Sequence, residues 1–504
     1  MINVICSVGV LVVNVIVSFF LSPYIVKTIG VEANGFVTLA NNFVTYASLI
    51  VTALNSMAAR FVTIEYVKKN YRKANLYYNS VFWSNLIIVM VLLVPAVLLI
   101  VNLQNCINVP PDILWDVKLL FSFVFLGFFL STGMPNWDCG VYVTNRLDRQ
   151  YVPTMMTAML RCVMLFLMLT ILTPHVWYVG FASAMVTVIG LVVNWYNTKK
   201  LTPELHIVLD GGKPVCSRKA LGELVGSGLW NSISSVGNML LSGLDLIICN
   251  LILGATSMGV LSLSKILTTY IQQLSASIRS AFAPELVINY AKGDKERLLH
   301  DILRAMKLTS VVMTILIAGI IVLGDSFFAL WVPSQDARLL QVLSILSILG
   351  YMFTSGTQIL YNVFSAVNKV KQNSIAMIVS GVVSVVLTLL IANFTDYGLY
   401  AVAGVSTTVN LVRNMSFTLP ATARYLGFKW YRFFPQVGTT VLSSLLLVAI
   451  GFLVKPLLPG WSWLGLAFSA AVMGVIGLAV NVRLVLNADE RRYLFGKVKR
   501  KLGR

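Results

Sequence analysis

Residues 29–39 read IGVEANGFVTL, and residues 253–263 read LGATSMGVLSL. Superposed at an offset of 224, Gly30 falls on Gly254, Gly35 on Gly259 and Leu39 on Leu263. The same offset carries Asn14 to Asn238, Tyr66 to Tyr290 and Lys68 to Lys292, and an offset of 223 carries Gly133 to Gly356. A single match of this kind is noise. Agreement at nearly one spacing through several separated segments marks a chain that contains itself twice, as membrane proteins built from structural repeats do.

What lies between the matches sets the class. Of 504 residues, 58% are hydrophobic and 11% charged, whereas a soluble domain carries about 25% charged residues. Apolar runs of roughly 20 residues, each long enough to cross a bilayer as a helix, follow one another along almost the whole chain. In lipid every backbone polar group must be paired within the protein, so helices are expected. The alternating pattern of a lipid-facing barrel is missing. The spans expected are 2–22, 36–59, 79–102, 116–143, 153–173, 176–197, 223–250, 257–284, 304–324, 338–366, 373–393, 398–420, 435–456 and 462–486. The repeat offset covers six of them, an even number, so the two copies share one orientation and are parallel repeats about an axis along the membrane normal. The expected fold is an all-α integral membrane protein of about 14 transmembrane helices, with two parallel-repeat six-helix lobes plus a C-terminal helix pair. Its divisions are an N-lobe over 1–198, a cytoplasmic linker over 199–222, a C-lobe over 223–434, the helix pair over 435–486 and a basic tail over 487–504.

Charge sets the orientation. Of the 38 Lys and Arg residues, 29 fall in the loops and tail on one side of these spans and four on the other. The positive-inside rule therefore places both termini in the cytoplasm, in a multi-pass protein of the cytoplasmic (inner) membrane. The net charge of +19 follows from those loops, which meet anionic lipid headgroups, and nucleic acid is not the expected partner. The six cysteines are scattered without a CxxC spacing and read as small buried hydrophobes. His175, His206 and His300 are isolated. The chain shows no triad, metal cluster or phosphate-binding glycine loop, so neither an enzyme nor a cofactor is expected.

Polar residues recur at spacings of three and four inside several spans, the signature of one helix face. On the eighth span Lys265, Thr269, Gln272 and Arg279 share a face, with about 21 Å between Lys265 and Arg279 at 1.5 Å per residue. Its repeat partner carries Asn41, Thr45, Ser48, Thr52 and Asn55. The seventh span carries Asn231, Ser235, Asn238, Ser242 and Asp245, and the first carries Ser7, Asn14 and Ser18. Ser, Thr and Asn are common at helix–helix contacts, which accounts for much of this. Embedded charges need more, since each costs about 2.5–3.5 kcal/mol near the bilayer centre. Arg161, Lys265, Arg279 and Arg413 stand against Asp138 and Asp245, a net cationic set. Asp245 and Lys265 stand either as cavity residues or as an ion pair. Guanidinium and ammonium groups in a wet cavity suit an anionic group such as pyrophosphate.

The stretch LNSMAARFVTIEYVKKNYRKANLYYNSVFW, residues 54–83, and its counterpart APELVINYAKGDKERL, residues 283–298, resemble the polysaccharide-transporter branch (Wzx-type O-antigen and capsule flippases) of the multidrug/oligosaccharidyl-lipid/polysaccharide exporter superfamily. The resemblance extends over the whole chain, with loose local motifs. It implies a cavity bounded largely by spans 1, 2, 7 and 8, and undecaprenyl-pyrophosphate-linked oligosaccharide as substrate. Lys265, Arg279 and Arg60 would hold the pyrophosphate by position. It also implies alternating access, with membrane lipids as surroundings and a polysaccharide polymerase as working partner. Two transporters of the same fold compete with this reading. A multidrug antiporter would favour membrane acids, and the first span has none. A lipid II flippase is poorly separated from it by sequence. A membrane polymerase or ligase would need a sizeable outer loop, and the loops on that side are short.

Overall fold

A computed structural model describes residues 2–135, 138–144, 146, 148–207, 209–210, 213–459, 462–485 and 491. The described residues are helical apart from turns, connections and a hairpin of two two-residue strands, Leu209–Asp210 against Lys213–Pro214. Eleven helices among them are long and apolar enough to cross a membrane, and Val12–Thr28 is a shorter apolar segment. The expected basic tail lies, except for Arg491, outside the described residues.

Positions that the sequence offset aligns share backbone features. Gly30 precedes the helix Val31–Val67 with φ 121°, and Gly254, its repeat partner, breaks the helix Asp245–Ala291 with φ 87°. Both angles are in the region where a side chain strains the backbone and glycine does not. Each copy then ends its long helix alike. Lys69 has φ 58° and its partner Gly293 has φ 75°. Next, Asn70 accepts a hydrogen bond from the Lys73 N–H at 3.2 Å, and its partner Asp294 accepts one from the Arg297 N–H at 2.9 Å. A short polar side chain at this position satisfies an otherwise unpaired N–H of the following helix. The second pair of breaks falls where Gly133 and Gly356 correspond. The helix Leu114–Gly133 stops at the first, and a short 3-10 turn, Gly356–Ile359, begins at the second.

These breaks change two of the expected spans. Residues 116–143 are expected as one span. Instead the helix ends at Gly133, Met134 is extended (φ −82°, ψ 157°) and a short helix, Asp138–Val143, starts anew. A proline drives its predecessor out of the helical region, and here the helix does not resume until after Pro135. Residues 338–366 likewise divide into Ala337–Thr354, the turn at Gly356, and Leu360–Ala366.

The chain forms two compact units. The first comprises Met1–Met239 and Leu246–Ser262. In it the helix Arg218–Asn238 packs along Val31–Val67, where Gly228 admits the Ala53 carbonyl. A Cβ on Gly228 would lie 2.0 Å from that oxygen. Gly35 and Gly259, partners in the repeat, meet so closely that a Cβ on Gly259 would lie 2.4 Å from the Val31 carbonyl oxygen. Beside them the Asn34 amide donates to Ser262 Oγ at 2.9 Å. The segment after Leu201 is stitched to the helix Tyr71–Val101. Asn75 donates to the Glu204 carbonyl and accepts from the His206 N–H, and Ser80 Oγ accepts from the Ser217 N–H.

The second unit comprises Leu240–Asp245 and Leu263–Arg504. Its central helix is Lys295–Trp331, against which Ala337–Thr354, Phe434–Val454 and Trp463–Leu484 pack. The C-terminal helices are held there by a buried polar knot. Asn481 accepts from Ser443 Oγ at 2.8 Å and donates to Thr314 Oγ1 at 3.1 Å. Paired groups of this kind hold helices together in an apolar medium.

Candidate functional site

The embedded cations have different surroundings. Lys265 donates to the Asp245 carboxylate, which is 4% exposed and also accepts from Ser406. Lys265 and Asp245 form an ion pair. Lys265 therefore has its counter-charge within the second unit.

Arg279 and Arg413 do not. They converge on one side chain, Tyr361. The Arg279 guanidinium carbon lies 5.7 Å from the Tyr361 ring centre and that of Arg413 5.4 Å, within cation–π range. Arg413, 5% exposed, donates to the Tyr361 hydroxyl, to Asn410 Oδ1 and to the Met377 sulfur, and its Nε is buried without a partner among the described residues. Arg279 donates to Gln358 Oε1 over a long 3.4 Å, and its carbonyl accepts from Asn362. The Tyr361 hydroxyl donates to Asn414 Oδ1 at 2.9 Å. Every partner is neutral. Among the described residues no carboxylate forms an ion pair with either arginine. Two guanidinium groups about one ring, in a low-dielectric setting, repel each other and attract an anion.

Local breaks in the helices build this centre. Tyr361 and Gln358 are placed by the interruption at Gly356, whose Cβ would lie 2.7 Å from Ser310 Oγ. Arg413 closes the helix Gly398–Arg413, and a wide π-helical turn, Asn414–Thr418, follows. Pro420 comes next. It has no N–H and collides with the carbonyl four residues back, and a widened turn relieves that collision. Such turns often accompany functional sites.

The remaining candidates divide between the units. In the second, Gln272 is exposed and shares a hydrogen bond with Tyr351. In the first, Arg161 is half-buried, with Nε buried and without a partner among the described residues. Asn14 is half-buried on the helix Ile2–Thr28, which packs on the helix of Arg161, Asp148–Ile171. Asn41 and Arg60 are exposed on Val31–Val67, and the Asn41 amide is turned back to the Val37 carbonyl at 2.8 Å. Asn55 accepts from Asn85 at 2.9 Å. Asn231 is half-buried and Asn238 exposed on the helix Arg218–Asn238. Asp138 opens its short helix, and its side chain, like that of Ser7, lies outside the described residues.

Tyr361, Gln358 and Asn414 were not singled out in the sequence. A signal existed, because TSGTQ at 354–358 and NLVRN at 410–414 are polar clusters within apolar runs. Among the described residues no group of three or more His, Cys, Asp or Glu gathers as a metal site would.

Comparison with known proteins supplies the context. Residues 2–289 match the family described as "Polysaccharide biosynthesis protein". EpsK of Bacillus subtilis (strain 168), an uncharacterised membrane protein, is 26% identical over 100% of this chain and 98% of its own. Among solved structures, a multidrug resistance MATE family transporter of the MOP superfamily, inward-facing, superposes with a TM-score of 0.64 at 14% identity. It covers 82% of this chain and 94% of its own. The lipid II flippase MurJ, in an inward closed conformation, superposes with a TM-score of 0.62 at 14% identity over 95% of this chain and 98% of its own. The fold is thus of the MATE and MurJ type.

Proposed function

This chain belongs to the polysaccharide biosynthesis protein family, and on that premise we propose that it is a flippase for undecaprenyl-pyrophosphate-linked oligosaccharide. It would move these units across the cytoplasmic membrane by alternating access, in surface polysaccharide assembly. The observation that carries the reading is the meeting of Arg279 and Arg413 at Tyr361 with neutral partners only. A pyrophosphate diester brings two negative charges, and arginine binds phosphate oxygens in pairs with its fixed fork of donors. The asparagines at 14, 41, 55, 231 and 238, with Gln272, would serve the sugar hydroxyls. Arg161 and Arg60 would add positive potential.

The topology belongs to the same reading. The chain would cross the bilayer fourteen times with both termini in the cytoplasm. The matched breaks at Gly30 and Gly254, and at Gly133 and Gly356, support two parallel repeats. A drug antiporter of this fold would need acids free to bind cationic drugs or protons, whereas Asp245 already holds Lys265. The role is that of a transporter and not of an enzyme, with membrane lipids around it and a polysaccharide polymerase as the consumer of its product.

The test is a flipping assay in proteoliposomes with a polyprenyl-pyrophosphate-linked glycan. Arg279→Ala and Arg413→Ala should each lower the flipping rate by roughly tenfold or more, since a charge-assisted hydrogen bond contributes about 1.5–3 kcal/mol. Wild-type flipping in the folded double variant removes the assignment of these residues.

A further inference from the structure

A second basic site, which shares no residue with the centre at Tyr361, lies at the charged ends of the second unit's helices. The end of Asp245–Ala291, the start of Lys295–Trp331 and the turn after Leu419–Tyr425 enclose a pocket of about 300 Å³. Its floor is apolar, made by Leu298 and Phe428, and Leu298 belongs to the buried core beneath. Its rim is polar, with Asn289, Tyr290, Lys295 and Arg424. Two left-handed glycines keep it open. Gly293 (φ 75°) and Gly427 (φ 80°) each turn the chain at a helix end, and the Lys295 ammonium lies 3.4 Å from where a Cβ on Gly427 would stand. Asp294 also lines the pocket, but one of its carboxylate oxygens accepts from the Arg297 N–H. Lys295 and Arg424 are exposed, and no ion pair engages either among the described residues.

The pocket's surroundings identify the ligand. Val287 and Ile288, one turn before Tyr290, are exposed, as are Trp430 and Tyr431 just after Phe428. Apolar side chains thus reach solvent beside a cationic rim, on the side that the Lys and Arg distribution assigns to the cytoplasm. A ligand matching both parts has a phosphate with apolar chains attached. Basic pockets between membrane helices on that side are suited to anionic headgroups, and Tyr and Trp are at home at headgroup depth.

We propose that this pocket is a binding site for an anionic phospholipid, its phosphodiester held by Lys295 and Arg424 and its acyl chains running past Val287, Ile288 and Trp430. The site is independent of the proposed substrate centre. Occupancy would tie the connection Ala291–Asp294 to the turn at Gly427 through one shared anion.

The experiment uses the full chain purified in detergent and titrated by native mass spectrometry with dioleoylphosphatidylglycerol, dioleoylphosphatidylcholine or inorganic phosphate. Phosphatidylglycerol should bind in preference to phosphatidylcholine. Lys295→Gln with Arg424→Gln should weaken phosphatidylglycerol about thirtyfold, from the roughly fivefold that each interfacial cation contributes, and leave phosphatidylcholine unchanged. Both side chains are exposed, so the variant keeps its fold, which a single symmetric elution peak verifies. Arg279→Gln should retain the preference, which separates this site from the centre at Tyr361. Vesicles containing phosphatidylglycerol should also shield the Lys295 amine from acetylation better than vesicles of phosphatidylcholine alone. Equal binding of the two lipids, full phosphatidylglycerol binding by the double variant, or shielding of Lys295 by inorganic phosphate to the same degree would each overturn the proposal.

Discussion

Replacing Asp245 by Asn should destabilise the second unit through Lys265, and the size of the loss follows from burial. Asp245 is 4% exposed and the Lys265 side chain 19%, so neither charge is well solvated. At a separation of about 4 Å and an effective dielectric near 20, two such charges attract by roughly 4 kcal/mol. Breaking a buried pair by removing one partner typically costs about 3–5 kcal/mol, because the survivor stays desolvated and unpaired. Removing both together is far cheaper. Asp245→Asn and Lys265→Met should therefore each lose about 3 kcal/mol, and the double variant only about 1–2 kcal/mol. Ser406, which donates to the same carboxylate, can still donate to the amide oxygen of the substituted side chain, so the hydroxyl adds little to the difference. The assay is unfolding in mixed micelles with rising dodecyl sulfate, read by tryptophan fluorescence and analysed as a double-mutant cycle. A coupling energy under about 0.5 kcal/mol is what unconnected residues give and would refute the pairing argument. Transport supplies a second reading. The double variant should still flip substrate, because its lost lysine was already neutralised. A stable double variant that is dead for flipping would show Lys265 acting on substrate instead.

Four further outcomes are expected. Gly259→Ala should lower stability by at least about 1–3 kcal/mol, the range for overpacking, since its Cβ would stand 2.4 Å from the Val31 carbonyl oxygen. Gly190→Ala, inside the helix Trp177–Leu201 with nothing within 4 Å, should not lower stability in the same unfolding assay. Asn481→Leu should cost about 1–3 kcal/mol by stranding the buried hydroxyl of Ser443, measured as a lower midpoint with monodispersity retained. Tyr77→Phe, which removes the hydrogen bond that Tyr77 donates to Glu223 at 2.5 Å, should cost about 1.5–3 kcal/mol, the range for a bond to a charged group, in the same unfolding assay.

The apolar runs, the basic loop segments and the repeated IGVEANGFVTL-like motif were all legible in the sequence. Each reports a local cost that the chain cannot escape. An apolar run needs lipid or core, a loop charge resists crossing, and Gly30 and Gly254 stand where the backbone turns left-handed. The polar helix faces were legible for the same reason, as periodicity. What each charge does was not. Lys265 and Arg279 occupy one helical stripe and read alike, yet one is neutralised by Asp245 and the other stacks on Tyr361. That difference is set by which elements fold beside them. Tyr361 is delivered by the interruption at Gly356 and Arg413 by a helix that ends in a π turn before Pro420. Spacing along one helix specifies which side chains share a face, whereas the free energy of a charge depends on everything within a few ångströms of it, and only the packed chain determines that company.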